Sequence, residues 1–176
     1  MITTPDPVHI ELWHPNDVDI AMLGDMLHDS VHAGADIGFI LPFSRDDAAV
    51  FWRNRIKPAV DAGTCRVLVA RCDGRIVGTV QIDLVTPANQ PHRAEVKKLM
   101  VHPDARRGGI ARALMLAIEE QAREAGRTLL TLDTASEAAE KLYLSLGYVL
   151  VGVIPGFSRR PHSPELEHTT VLYKTL

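Results

Sequence analysis

One short stretch decides the fold of this chain, and it is Arg106-Arg107-Gly108-Gly109-Ile110-Ala111. It lies between a predicted strand, Glu95 to Val101, and an amphipathic helix that begins near Gly109. A glycine pair lets the backbone approach a ligand closely, and the first turn of a helix leaves N–H groups unpartnered at the positive end of the dipole. The two arginines add charge that suits phosphate oxygens. The stretch therefore predicts a site for a pyrophosphate-bearing ligand, and a solvated basic loop is the alternative.

The segments that follow predict a parallel strand, helix, strand unit. The helix ends at Gly126 and carries an apolar stripe at Ile110, Leu114, Ala117 and Ile118. Thr128 to Asp133 then has the pattern of a short buried strand. The ligand crevice of such a unit lies at the carboxyl ends of the strands. We therefore expect Val101 and Asp133 to face that crevice.

The strand before the glycine pair has an irregular pattern. In Ala94-Glu95-Val96-Lys97-Lys98-Leu99-Met100-Val101, strict alternation places one lysine on each face, so neither face is wholly apolar. One extra residue in a strand, a β-bulge, would reset which face the later side chains occupy. A bulge also leaves backbone N–H groups outside the ladder, where an extended ligand could bind like an added strand.

The remaining segments predict an antiparallel half and more helices. Asp73-Gly74 is a hairpin turn signal between strands Cys65 to Ala70 and Arg75 to Leu84. Three polar residues begin helices: Asn16, Ser44 with Asp47, and Thr134 with Glu137. Pro58 should end or kink the second of these helices.

The C-terminal third adds a strand at Tyr148 to Val153, a loop at Pro155 to Pro164 and a final strand at His168 to Thr175. The two strands are expected to pair. The loop from Ser30 to Ile40 carries His32, Asp36 and Phe39 and could line a small-molecule pocket, although a structural connector is the alternative.

Composition narrows the function. A chain of 176 residues predicts one domain, 1–176, and a net charge of -3 predicts no binding to nucleic acid or to anionic membranes. No apolar run reaches the roughly 20 residues that span a bilayer, and Met1 to Pro5 lacks the features of a signal peptide, so a cytoplasmic location is expected. Cys65, Cys72 and the scattered histidines lack the spacing of metal ligands, so no metal is predicted.

Two motifs resemble those of the GCN5-related N-acetyltransferases. They are Arg106-x-x-Gly109-x-Ala111 after Leu99-Met100-Val101, and Ala139-x-x-Leu142-Tyr143-x-x-x-Gly147-Tyr148 further on. The resemblance implies an α/β fold of the GNAT type, with a mixed central sheet of six or seven strands and about four flanking helices. The fourth and fifth strands of that fold are parallel and splayed around the cofactor.

A narrower likeness is to the tabtoxin resistance acetyltransferases, which acetylate the amino group of an amino-acid-like β-lactam toxin. The segments that look similar are Val31 to Phe39, Arg93 to Val101, Leu132-Asp133-Thr134 and Tyr173 to Leu176. The implied reaction moves an acetyl group from acetyl-CoA to a primary amine of a small molecule. Resistance to a particular antibiotic does not follow from the sequence.

The family resemblance implies the residues that hold acetyl-CoA. The pyrophosphate would bind the backbone of Arg107, Gly108, Gly109, Ile110 and Ala111, with Arg106, Arg107 and Arg112 near the phosphates. The pantetheine arm would pair with the backbone of Leu99, Met100 and Val101. Ser136 stands where the family usually has asparagine, which puts one polar contact to the cofactor in doubt.

The chemistry also needs a proton acceptor and a proton donor. An alkyl ammonium has a pKa near the lysine value of about 10.4, so a base must deprotonate it. Glu95 and Asp133 are the predicted carboxylate pair, and Tyr143 is the predicted acid for the coenzyme A thiolate. The alternatives are a Glu95 ion pair with Arg93 or Lys97, a helix-start charge at Asp133, and a core aromatic at Tyr143.

Other functions stay open or are excluded. A non-catalytic acyl-CoA-binding or sensor domain would need no Glu95, Asp133 or Tyr143, and a protein N-terminus or lysine as acceptor would need an open groove. A nucleotide-binding domain is excluded because neither G-x-x-x-x-G-K-[ST] nor G-x-G-x-x-G is present. His32, Asp36 and Phe39 are the predicted substrate contacts. The oligomeric state stays open, with a homodimer among the alternatives.

Overall fold

The protein is built on one seven-stranded mixed sheet with helices on both faces. The structure is a computed structural model and describes residues 7–176, so the expectation for Met1 to Pro5 lies outside the described residues. The strands are β1 His9–Leu12, β2 Cys65–Cys72, β3 Arg75–Asp83, β4 Arg93–Val101, β5 Leu129–Thr134, β6 Val149–Arg159 and β7 Leu166–Thr175. Their order in the sheet is β1-β2-β3-β4-β5-β7-β6.

Four helical bodies flank the sheet in the described residues. They are α1 Asp17–His32, a continuous stretch made of α2 Arg45–Phe51, a π-helical turn Trp52–Ile56 and α3 Lys57–Asp61, then α4 Ile110–Glu124 and α5 Glu137–Ser145. Asn16 and the Ser44–Asp47 capping box begin α1 and α2, as the sequence predicted. Pro58 lies in the first turn of α3, directly after the π-helical turn. The helix does not end at this proline but continues to Asp61, with an irregular turn just before it.

The predicted pairings of the strands are confirmed. Strands β2 and β3 form the antiparallel hairpin around Asp73-Gly74, and both turn residues have positive φ angles, 49° and 73°. The only parallel pair among the described strands is β4 with β5, connected by α4. Together with the seven strands and four helical bodies, this is the fold class that the sequence predicted.

The predicted bulge lies in the middle of β4. Lys97 pairs with Gln81 and Met100 with Thr79, so Lys98 and Leu99 both lie opposite Val80. After the bulge, Leu99 packs against the same core as Val96, under α4. Met100 instead joins the second core, which lies on the opposite face with α1 and α2. The extra residue thus makes one face of β4 fully apolar and leaves both lysines on the other face.

Two expectations from the sequence are wrong in detail. The segment Pro155 to Arg159 belongs to β6 and is not a loop; its irregular pairing between Ile154 and Ser158 accommodates the proline, which has no N–H for the ladder. Thr134 does not cap α5. It ends β5, and Ser136 caps the helix by accepting a hydrogen bond from the N–H of Ala139 at 3.3 Å.

Candidate functional site

The sheet opens between β4 and β5. The two strands pair only at Arg93–Glu95 with Leu129–Thr131, and beyond these residues they separate. From residue 96 to residue 101, β4 keeps β3 on one side, and none of the described strands pairs with it on the other. Its backbone groups there are available to an extended ligand, because a strand edge presents N–H and C=O groups in a row. The bulge lies in this open segment.

Helix α4 begins beside the opening, and in the described residues no side chain caps its N-terminus. Gly109 is its N-cap residue, with a φ angle of 78°, and it has no side chain that could cap the helix. Arg107 also has a positive φ angle, 66°, which turns the loop toward the helix start. A Cβ atom at Gly109 would meet nothing within 4 Å. With no acidic residue in its first turn, this helix start has the open space and the polarity that an anion requires.

The polar side chains around the helix start already have protein partners. The Nε of Arg106 donates to the carbonyl of Val101 at 3.2 Å, which ties the loop to the end of β4. The Nη2 of Arg112 donates to the Oγ of Ser145 at 2.6 Å. The Oγ of Ser136, at the position where asparagine was expected, accepts a hydrogen bond from the backbone of α5 and caps that helix. Arg107 is exposed and leads into Gly108 at the tip of the loop.

Glu95 lies in an ion pair. The Nζ of Lys97 is 3.2 Å from a carboxylate oxygen of Glu95 and 3.2 Å from one of Asp83. Burial lowers the pKa of Lys97, but the two carboxylates outweigh it and raise the pKa above the ordinary value. Of the partners that the sequence left open for Glu95, the structure therefore shows Lys97. Glu95 lies opposite Thr131 in the parallel ladder. Asp133 follows Thr131 by two residues, so Glu95 and Asp133 lie on the same face of the sheet.

Asp133 lies at the open end of β5 and is exposed. One of its carboxylate oxygens accepts a hydrogen bond from the Oγ1 of Thr169 at 2.8 Å. Tyr143 of α5 is buried nearby, in the core under α4 and 5.7 Å from the ring of Tyr148. Burial, and secondarily the charge of Asp133, raises the pKa of Tyr143 to about 12. Its hydroxyl therefore keeps its proton at neutral pH.

The loop of residues 33–43 closes over the same face. The Oγ of Ser158 on β6 donates to a carboxylate oxygen of Asp36. The backbone carbonyl of His32 is 3.0 Å from the Nε2 of His162, and the N–H of Leu41 donates to the carbonyl of Pro161 at 3.2 Å. Two hydrogen bonds from the loop, and one from the last residue of α1, thus connect this region to the end of the β6–β7 hairpin.

Two of the predicted substrate contacts also have structural partners. The Nε2 of His32 lies 2.9 Å from the carbonyl of Phe43, and its ring stacks on that of His28. Phe39 packs against Phe43 and Phe51, with ring centroids 4.7 and 5.0 Å away. Both residues thus have contacts that fit the connector alternative, and their contact with a substrate stays a prediction. Asp36 is partly buried and close enough to the β4 bulge to act electrostatically on Lys98.

Lys98 is a residue of this region that the sequence analysis did not single out. It is the bulge residue, with a φ angle of 53°, and its Nζ donates to the carbonyl of Ile37 at 2.5 Å. The ammonium also lies 5.3 Å from the ring centroid of Phe39. Burial, with the charges of Lys97 and Arg55, lowers its pKa, while Asp133 and Asp36 oppose that shift. The available signal was the second lysine that broke the alternation of β4.

The arrangement joins a helix start suited to an anion, an open strand edge, a carboxylate and a protonated tyrosine on neighbouring elements. Those are the parts that an acyl transfer to an amine requires. Among residues 7–176, no group of three or more His, Cys, Asp or Glu side chains is placed to hold a metal ion. Within the same residues, no helix has both the length and the apolar character that a membrane crossing demands.

Comparison with known proteins gives consistent matches. A family model described as an acetyltransferase (GNAT) domain matches residues 63–150, half of the chain. An uncharacterized N-acetyltransferase in the hisH–hisA intergenic region of Azospirillum brasilense is 37% identical over 120 residues, which cover 65% of this chain and 67% of that protein.

Solved structures match over nearly the whole chain. An N-acetyltransferase from Staphylococcus aureus Mu50 has a TM-score of 0.79 at 14% identity, covering 97% of this chain and 99% of that one. The structure of yncA from Salmonella typhimurium, solved with its cofactor acetyl-CoA, has a TM-score of 0.78 at 17% identity, covering 97% and 94%. At these identities the structural likeness concerns the fold.

Proposed function

The chain belongs to the GNAT acetyltransferase family, and on that premise we propose that it transfers the acetyl group of acetyl-CoA to a primary amine of a small molecule. The observation that carries this proposal is the opening between β4 and β5 beside the uncapped start of α4. An extended thioester ligand needs a strand edge for its arm and a positive helix end for its phosphates. Both are present and adjacent here.

The residues present fit acetyl-CoA. The N–H groups from Arg107 to Ala111 would bind the pyrophosphate, and the open space at Gly109 leaves room for it. Arg106 and Arg107 would add positive charge beside the phosphates. The hydrogen bond of Arg112 to Ser145 of α5 keeps the guanidinium of Arg112 near the same helix start. The pantetheine arm would run along the backbone of Leu99, Met100 and Val101.

When bound, acetyl-CoA supplies an activated acetyl group as a thioester. The acceptor nitrogen, once deprotonated, forms a bond to the acetyl carbon, and the carbon–sulfur bond breaks. The nitrogen then releases a second proton to water, which balances the proton that the sulfur receives. Asp133 accepts the proton of the acceptor ammonium, directly or through water, because its exposed carboxylate has one hydroxyl partner and no ion pair in the described residues. A backbone N–H freed by the bulge donates to the carbonyl oxygen on which charge develops.

Two further residues have roles in this proposal. Tyr143 donates its phenolic proton to the departing sulfur, since its raised pKa keeps that proton in place at neutral pH. Glu95 lies in its ion pair with Lys97, so it contributes negative charge that attracts the acceptor ammonium and does not itself take the proton. A contact of Ser136 to the cofactor would have to share the hydroxyl that already caps α5.

The closed loop supports a small acceptor. Residues 33–43 are tied to the β6–β7 hairpin through Ser158 and Pro161, and a loop fastened beside the opening favours a small amine over a protein chain. Within the family, the likeness to the tabtoxin resistance group favours an amino-acid-like or antibiotic amine. The alternatives are a protein N-terminus or lysine as acceptor and a sensor domain that binds acyl-CoA without turnover.

A panel assay separates these functions. Coenzyme A release from acetyl-CoA is measured with amino acids, polyamines, amine antibiotics and a lysine-containing peptide, alongside thermal stabilisation by acetyl-CoA alone. Release with a small amine supports the proposal. Stabilisation without release by any amine would favour the sensor alternative, and release with the peptide alone would favour a protein acceptor.

A further inference from the structure

Lys98 is a half-buried cation with no carboxylate partner in the described part of the chain. Its Nζ makes one hydrogen bond, to the carbonyl of Ile37, and in the described part of the chain no Asp or Glu oxygen lies within 4.0 Å of it. Lys97, its neighbour, has two such partners. An ammonium carries three N–H donors, and burying a charge without a partner is unfavourable. Lys98 therefore has donors left for a ligand.

The backbone is shaped to bring Lys98 to this position. Its φ angle of 53° is rare for a lysine, and the bulge that it forms turns its side chain away from the core under α4. Across from it, Gly38 has a φ angle of 90°, and a Cβ atom there would lie 3.3 Å from the Nζ of Lys98. Two unusual backbone conformations, on different elements, thus meet at one ammonium group.

Two carboxylates flank Lys98 without pairing with it. Asp133 and Asp36 both act electrostatically on Lys98, but each accepts a hydrogen bond from a hydroxyl of the β6–β7 hairpin, Thr169 or Ser158. The other charges that face Lys98 are Lys97 and Arg55. The region around Lys98 thus offers one cation without an ion-pair partner in the described residues, and two carboxylates near it, Asp133 and Asp36. This pattern is complementary to a molecule that carries both a negative and a positive charge.

We propose that Lys98 binds the carboxylate of the acceptor while Asp133 and Asp36 hold its ammonium group, so that the substrate class is an amino acid with a free carboxylate. This rests on the proposed acetyl transfer. The carboxylate would receive charge-assisted hydrogen bonds from Nζ, which are stronger than neutral ones. Amines without a carboxylate, such as polyamines, would leave the half-buried ammonium of Lys98 without an anion and would also place a further positive charge near it.

The test compares amino acids with their carboxamides. For each pair, kcat/KM of the amine is measured by coenzyme A release with the full chain and with Lys98→Met. We expect the full chain to prefer the acid by roughly 10- to 100-fold, the range of a hydrogen bond to a charged group. In Lys98→Met the ratio should fall to near one, and Lys98→Arg should restore part of it.

A purely structural role of Lys98 would give a different result. If Lys98 only holds the 33–43 loop through Ile37, Lys98→Met would lower kcat/KM equally for amino acids and for their carboxamides. An unchanged ratio of the two kcat/KM values would therefore overturn the proposal. Lys57→Met, which removes an exposed lysine of α3, is the control for loss of charge. Melting temperature and acetyl-CoA affinity show whether the variants remain folded with an intact cofactor site.

The failure of this inference can be told apart from the failure of the proposed function. Turnover by the full chain of carboxamides or polyamines as efficient as that of amino acids would refute the role of Lys98 and leave acetyl transfer intact. Acetyl-CoA binding without release by any amine in the panel would count against both.

Discussion

Asp133 and Glu95 carry the same charge but differ in their partners. Asp133 accepts one hydrogen bond from Thr169, whereas Glu95 shares Lys97 with Asp83. The carboxylate of Glu95 is thus already in contact with a cation, whereas that of Asp133 has no ion-pair partner in the described residues. The two residues that the sequence predicted as a pair are therefore expected to contribute unequally.

Asp133→Asn should lower kcat by roughly 100- to 10,000-fold, the usual contribution of a general base. Glu95→Gln should have a smaller effect on kcat, because Glu95 acts only through its charge. Steady-state kinetics at saturating acetyl-CoA measure both, and Asp61→Asn on α3 serves as the control. A larger loss of kcat in Glu95→Gln than in Asp133→Asn would mean that Glu95 is the base and Asp133 is not. An equal loss of acetyl-CoA affinity in both variants would refute both assigned roles.

Tyr143→Phe should lower kcat by about 100-fold, the low end for a general acid, because a thiolate of pKa about 8.5 leaves readily even without help. Because the folded pKa is about 12, above the ordinary value of 10.0, the protonated acid persists through pH 10 and is lost only as the pH approaches 12. The pH profile of kcat should therefore show no fall from this group between pH 8 and 10. Turnover of Tyr143→Phe equal to that of the unmodified chain would make Tyr143 a core aromatic.

The sequence predicted which residue types the site needs, but not their partners. Glu95 and Lys97 are two residues apart, so their ion pair could be anticipated from strand alternation, and it was one of the stated alternatives. The hydrogen bond between Asp36 and Ser158 joins residues 122 positions apart, and no local pattern reports such a contact. The roles of His32 and Phe39 in holding the loop were likewise beyond local reasoning.

Helix α4 is positioned against the sheet by close contact with β3. A Cβ atom at Gly78 would lie 3.0 Å from the Cγ2 of Ile110 and 3.1 Å from the Cδ1 of Leu114. Ile110 is the first residue of α4, so the start of the helix and its N–H groups depend on this glycine.

Gly78→Ala should lower the free energy of unfolding by about 1–3 kcal/mol, because it overpacks a buried contact. It should also weaken acetyl-CoA binding, since the first turn of α4 must move outward. Denaturant unfolding and cofactor titration measure the two effects. Gly152→Ala, where a Cβ would meet nothing within 4 Å, is the matched control and should change neither. Wild-type stability and affinity in Gly78→Ala would contradict this account of the helix position.

Strong local signals predicted elements well. Alternation broken by two lysines predicted the bulge, and Asp73-Gly74 predicted the hairpin, because each depends on neighbouring residues. The extension of β6 to Arg159 was missed, since Pro155 and Gly156 are loop signals whose effect is absorbed by an irregular pairing with β7. Thr134 and Ser136 both match a helix start, and only the structure shows that Ser136 is the cap.

The C-terminal strand is fastened to α4 by a buried ion pair. The Nζ of Lys174 on β7 lies 2.6 Å from a carboxylate oxygen of Glu119 and donates to the carbonyl of Leu146 at 2.8 Å. Lys174→Met should lower the free energy of unfolding by about 1–3 kcal/mol, because the buried carboxylate of Glu119 loses its lysine but keeps Arg123 at 4.0 Å. Chemical denaturation tests this against Lys141→Met, an exposed pair on α5, and equal stability of the two variants would contradict it.

The outer edge of the sheet bears on the oligomeric state. Strand β6 is the last in the sheet and exposes a group of apolar side chains: Val149, Leu150, Val151, Val153, Ile154 and Phe157. Exposed apolar edges of this kind favour association with another chain. The homodimer stays a prediction, and sedimentation velocity over a range of concentrations would test it.

The central claim is that acetyl-CoA binds across the opening of the sheet with its pyrophosphate at the start of α4. Calorimetric titration of acetyl-CoA into the unmodified chain and into Gly109→Asp tests it most directly. Gly63→Asp, also at a positive φ angle in open space, controls for backbone strain. We expect one acetyl-CoA per chain for the unmodified protein and for Gly63→Asp, and at least about a 100-fold loss of affinity in Gly109→Asp from charge repulsion and crowding. Unchanged affinity in Gly109→Asp would contradict the account.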